Sequence, residues 1–159
     1  MFRRSPSTRS LCLSAIIAAL YAALTLMLPA LSFGAVQCRL SEALTLLPLV
    51  LPQSVPGLFV GCVVANLLSP VGIWDVLFGS LATLLAALGT YALRKKPLLA
   101  AACPVVSNGL IIGVMLSVVY SLPAVLTILQ VAAGETLAVA AGYGLLKAFK
   151  GRIDWKKLQ

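Results

Sequence analysis

Of the chain's 159 residues, 61% are hydrophobic and 10% charged, against roughly 25% charged in ordinary globular domains, so no polar surface can cover it in water. Its apolar runs are continuous rather than alternating at period two, which argues for membrane helices and against a barrel. The net charge of +8 sits before the first apolar run, in the Arg94, Lys95, Lys96 loop and after the last run, with Arg39 the exception; that is the positive-inside pattern of a membrane protein rather than a nucleic-acid interface.

Taken in order, residues 1–10 are a polar, basic tail. Residues 11–31 carry no charge and outrun the apolar core of a signal peptide, about 7–15 residues, so they are expected to stay as a first helix. Ala15, Ala19 and Ala23 recur every fourth position and share one face of it. A second, short helix is expected over 40–50, with Pro48, Pro52 and Pro56 marking a broken crossing. A third follows over 57–68, where Gly57 and Gly61 make a close-packing face. The turn SPVG at 69–72 leads to a fourth over 74–93, anchored at the interface by Trp74. A fifth is expected over 103–120 and a sixth over 124–146.

This reading predicts an all-α integral membrane protein, a six-transmembrane-helix bundle with both termini cytoplasmic. The membrane domain covers 11–148, between basic tails at 1–10 and 149–159. Four helices, with long loops, is the alternative. In the six-helix topology Arg39, Glu42, Asn66, Trp74 and Asp75 fall on the outer side, Glu135 near the midplane and Asn108 in the inner half, where it reads as an interhelical hydrogen-bonder. Tyr120 and Trp155 read as interface residues.

The polar cluster Gln37, Arg39, Ser41 and Glu42 follows directly on the first apolar run. Ionisable groups inside a membrane are costly, which makes them candidates for function. With Asn66, Asp75 and Glu135 they suggest a pocket open to the exterior, walled by apolar helices. Each has a blander reading beside it. Glu42 can pair with Arg39 three residues away on one helix face, Asp75 can serve as a helix N-terminal acid, and Glu135 can be a structural carboxyl. The four cysteines lack metal-ligand spacing and the chain has no His, so no metal site and no cofactor is expected, and the cysteines read as packing residues.

The segment FGAVQCRLSEALTLLP at 33–48, then PGLFVGCVVANLL from Pro56 and WDVLFGSLATLLAA from Trp74, resembles the QueT family over about residues 14–145. That resemblance implies a substrate-binding (S) component of an energy-coupling factor (ECF) importer for queuosine precursors. It implies separate partners, namely a transmembrane coupling subunit and two ATPases, in the plasma membrane of a prokaryote. It places substrate contacts on Glu42, Glu135, Arg39, Asn66 and Asp75. It also implies that the stripe of Ala15, Ala19 and Ala23 docks on the coupling subunit, whereas the stripe alone could equally pack within the bundle.

Residue chemistry agrees on Glu42 and Glu135, because a carboxylate accepts the two parallel donors of a guanine-like edge. The chain has no phosphate-binding G-x-x-x-x-G-K-[ST] loop, so any ATP hydrolysis belongs to another subunit. Competing readings are an S component for another vitamin, a stand-alone transporter coupled to protons through an intramembrane acid, and a structural membrane subunit. An enzyme finds no support, with no G-x-S-x-G, no His and no metal-ligand cluster.

Overall fold

Helix accounts for nearly all of the structure, a computed structural model that describes residues 7–34 and 38–149. Gln37, Trp155, Asp154 and most of both expected tails lie outside the described residues. The elements are α1 (Thr8–Met27), a single turn α2 (Pro29–Ser32), a 3₁₀ helix η1 (Leu40–Leu49) and α3 (Ser54–Asn66), followed by a π-helical turn (Asp75–Gly79) that runs into α4 (Ser80–Ala92), then α5 (Pro97–Tyr120) and α6 (Ala124–Phe149).

Among the described residues four stretches are long and apolar enough to cross a membrane: Thr8–Met27, Asp75–Ala92, Pro97–Tyr120 and Ala124–Phe149. The second and third expected helices are present but short. The 13 residues of α3 reach about 20 Å at α-helical rise, and the 10 of η1 reach about 20 Å at 3₁₀ rise, both less than a hydrocarbon core of roughly 30 Å. Winding η1 as 3₁₀ lengthens it by about a third over an α-helix of the same residue count. Pro48 sits inside it.

The helix α5 begins at Pro97, not near 103. Proline is well placed at a first helical position, where its missing N–H would be unpaired anyway. Further on, Pro104 cannot donate to the Ala100 carbonyl, the usual break in a helix. Here Thr90 of α4 donates its hydroxyl to that carbonyl at 3.3 Å, and the helix continues. The earlier start places Asn108 at the middle of α5 rather than near its beginning.

The long helices and α3 form an arc in the order α1, α3, α4, α5, α6, and η1 packs against every one of them. Glycines permit the close approaches. A Cβ on Gly61 would stand 2.6 Å from the Ala18 carbonyl oxygen, and one on Gly57 2.5 Å from that of Ser14, so the Gly57–Gly61 face is where α3 meets α1. Apolar clusters form around Ile17, Leu58 and Ala87 on one side and Ile112, Met115 and Val131 on the other.

The distribution of polarity is inverted relative to a water-soluble protein. Arg39, Glu42, Asn66, Asp75, Asn108 and Glu135 are buried, while leucines and valines line the outside of every long helix. An apolar exterior around a polar interior is what a bilayer solvent selects. Ala15, Ala19 and Ala23 lie on that exterior, so the stripe takes no part in packing the bundle; the α1 residues that meet α3 are Ser14, Ile17, Ala18 and Tyr21.

Candidate substrate site

Two polar groups fill the middle of the arc. The first is built on Arg39, just before η1. Its NH2 nitrogen bonds Asp75 Oδ2 at 2.9 Å, and its Nε donates to the Ser32 carbonyl at 3.1 Å. The guanidinium lies 5.3 Å from the centre of the Phe33 ring, a cation–π distance. Ser69 donates to the same Asp75 oxygen at 2.6 Å. Asn66 donates to the Asp75 main-chain oxygen at 2.9 Å. The π turn at Asp75–Gly79 ends at a glycine that this packing requires, since a Cβ there would stand 2.7 Å from Asn66 Nδ2.

Arg39 therefore pairs with Asp75 across the bundle and not with Glu42 three residues on, which removes the local reading of Glu42 as an ion-pair partner. Asp75 does begin a helical turn, but its Oδ2 is taken by Arg39 and Ser69, while its Oδ1 is buried with no hydrogen-bond partner among the described residues.

The second group is built on Glu42, in the first turn of η1. Tyr21 of α1 donates its hydroxyl to Glu42 Oε1, and Thr83 of α4 donates to the same oxygen at 3.0 Å. Asn108 of α5 lies within reach of both Glu42 and Glu135 of α6. Gly142 brings α6 against the backbone of Ala43, which holds η1 and α6 at this separation. Among the described residues Arg39–Asp75 is the only salt bridge, so neither glutamate has one. Glu42 Oε2, Glu135 Oε2 and Asn108 Oδ1 are buried with no hydrogen-bond partner among the described residues.

Cys62 and Thr83 join the two groups. The Cys62 sulfur lies 3.3 Å from Thr83 Oγ1 and accepts from Asn66 Nδ2 at 3.3 Å. Cys62 packs in the apolar cluster with Ile17 and Leu58, as its reading as a packing residue has it, and its sulfur also borders the polar interior. Ser41 joins through Thr25, oxygen to oxygen at 2.7 Å.

All five candidate residues, Arg39, Glu42, Asn66, Asp75 and Glu135, converge on this interior, divided between the two groups. They are not open to the exterior as expected: Glu42, Asn66 and Asp75 are 0% exposed, and Arg39 and Glu135 are 2%. Three clefts at the surface are lined by other residues. Tyr21, Thr83, Asn108 and Cys62 belong to the site as well. Their signal in the sequence was a single polar side chain in an apolar helix, which does not by itself say which way that side chain points.

No group of three or more potential metal ligands occurs among the described residues. No curated protein and no solved structure matches the chain. The profile of the QueT transporter family matches residues 11–151, nearly the whole chain. An apolar multi-pass bundle with a polar interior has the build such a transport protein needs, and the chain belongs to the QueT transporter family.

Proposed function

We propose that the chain is the substrate-binding subunit of an ATP-driven ECF importer, which captures a queuosine precursor of the 7-deazaguanine class on the outer side and delivers it inward. The observation that carries this reading is the set of three unpaired acceptors, Glu42 Oε2, Asn108 Oδ1 and Glu135 Oε2, contributed by three elements to one buried place. A ligand that satisfies them must be rich in donors. A 7-deazaguanine offers its ring N–H and exocyclic amine in parallel, matched to a carboxylate. Buried acceptors of this kind reject a ligand lacking the donors, because they are then left unpaired.

The Arg39–Asp75 group serves as the scaffold that fixes the start of η1, and with it Glu42. The closed interior is the occluded form, and substrate enters when the outer ends of the helices part. In this reading the bundle crosses the membrane six times, with both termini cytoplasmic in the plasma membrane of a prokaryote. The lipid-facing Ala15, Ala19 and Ala23 dock on the coupling subunit, and a pair of separate ATPases drives reorientation.

Equilibrium binding of 7-cyano-7-deazaguanine, 7-aminomethyl-7-deazaguanine and queuine to the detergent-purified chain tests this, with guanine and riboflavin as controls. Tight binding of one deazapurine without a partner protein is expected. No binding of any of them by folded protein overturns the ligand assignment; riboflavin binding instead makes the chain an S component for another vitamin.

The burial of Glu42 and Glu135 without a salt bridge supports a second reading, a stand-alone transporter in which these acids carry protons. Uptake that survives ATP depletion but collapses with the proton gradient decides for it.

A further inference from the structure

At the end of the bundle that carries the basic loop, a cleft of about 540 Å³ opens between the end of η1, the Arg94–Pro97 segment and the last turns of α6. Its wall is of two kinds. Leu49, Tyr143 and Leu146 present apolar surface, and Arg94, Lys95 and Lys147 bring three cations from two separate elements. Arg94 is held in place, its guanidinium 4.2 Å from the centre of the Tyr91 ring and one N–H on the Tyr91 carbonyl at 3.4 Å. The three acids among the described residues, Glu42, Asp75 and Glu135, are all buried in the interior, so these cations have no carboxylate partner among the described residues. Just beyond the cleft the surface is lipophilic, with Leu98 76% and Leu145 56% exposed.

A ligand suited to this place has an anionic head for the three cations and an apolar tail for the wall, and it approaches from the side where the bundle meets hydrocarbon. We propose that the cleft binds one anionic phospholipid of the adjoining leaflet, its headgroup phosphate between Arg94, Lys95 and Lys147 and the start of an acyl chain along Leu49, Tyr143 and Leu146. A basic pocket between helices at the membrane surface is suited to such head groups. The lipid would bridge η1 and α6, the two elements that carry Glu42 and Glu135. The site stands apart from the candidate substrate residues, and its test does not depend on them.

The experiment is native mass spectrometry of the full chain released from nanodiscs containing equal parts phosphatidylglycerol and phosphatidylcholine. The wild type should retain one phosphatidylglycerol and no phosphatidylcholine. At about fivefold per cation, the triple variant Arg94→Ala/Lys95→Ala/Lys147→Ala should lower that retention roughly a hundredfold. Lys96→Ala, a neighbouring cation outside the cleft, should leave it unchanged. Equal retention of both lipids by the wild type overturns the proposal even if the triple variant fails to fold. So does undiminished retention by the folded triple variant, or an equal loss from Lys96→Ala, which would mark diffuse surface charge. Displacement of the lipid by millimolar inorganic phosphate, or by an acidic partner subunit in the assembled importer, would make the cleft a soluble-anion or a protein-docking site and overturn it likewise.

Discussion

The Arg39 guanidinium bonds Asp75 at 2.9 Å across 36 residues of chain, and leaves Glu42, three residues on in the first turn of η1, to Tyr21 and Thr83. That choice gives Asp75 Oδ2 an ion pair and leaves both glutamates without one, while Asp75 Oδ1 and Asn66 Oδ1, like Glu42 Oε2 and Glu135 Oε2, are buried with no hydrogen-bond partner among the described residues.

Arg39→Met should lower stability by about 3–5 kcal/mol, because it strands the buried Asp75 charge. The double variant Arg39→Met/Asp75→Leu removes both charges and should recover most of that loss. Thermal unfolding in detergent measures both; equal destabilisation of single and double variants would show that the pair itself is not what matters.

Gly79→Ala should cost about 1–3 kcal/mol as an overpacked site, since the new methyl meets Asn66 Nδ2 at 2.7 Å and Asp75 Oδ1 at 3.1 Å. With Asn66→Ala in the same chain, the cost of the methyl should shrink. Strict additivity of the two changes in unfolding experiments would contradict the contact.

Glu135→Gln should weaken deazapurine binding about 10- to 100-fold, the worth of a hydrogen bond to a charged group. The amide offers one acceptor where the carboxylate offers two, and adds donors that meet the ligand's own. Glu42→Gln should do the same. Unchanged affinity in equilibrium binding of either folded variant removes that residue from the site.

Ala19→Leu should leave substrate binding intact and impair assembly, because Ala19 is exposed on α1 and touches nothing the bundle needs. Co-purification with the coupling subunit is the measurement. A normal yield of complex would mean that α1 docks by another face, or does not dock.

Thr90→Val should destabilise the bundle by roughly 0.6–1.7 kcal/mol, the range for hydrogen bonds between membrane helices. In a Pro104→Ala background residue 104 regains an N–H for the Ala100 carbonyl, so the same change should cost less. An identical cost in both backgrounds would show that Thr90 does not stand in for the missing donor.

Chain composition and the placement of charge were enough to establish a helical membrane protein, because a continuous apolar run can satisfy its backbone in lipid only as a helix. The turn signals located the breaks between elements to within a few residues, and FGAVQCRLSEALTLLP with the two motifs after it carried the family. The stretch 33–48 also marked the polar centre, since a charge beside a membrane span is visible as a residue type alone.

Three features were decided only by tertiary structure. The partner of Arg39 was one, as residue spacing favours the local glutamate while the folded chain supplies a fully buried aspartate from another helix. The place of Asn108 at the middle of α5 was another, in a helix that continues through Pro104 while a hydroxyl on α4 bonds the freed carbonyl. The third was the membership of Tyr21, Thr83 and Cys62 in the interior. A lone polar residue in an apolar helix faces either lipid or protein, and local pattern is silent on which; the packing of η1 against all five neighbours turns these side chains inward.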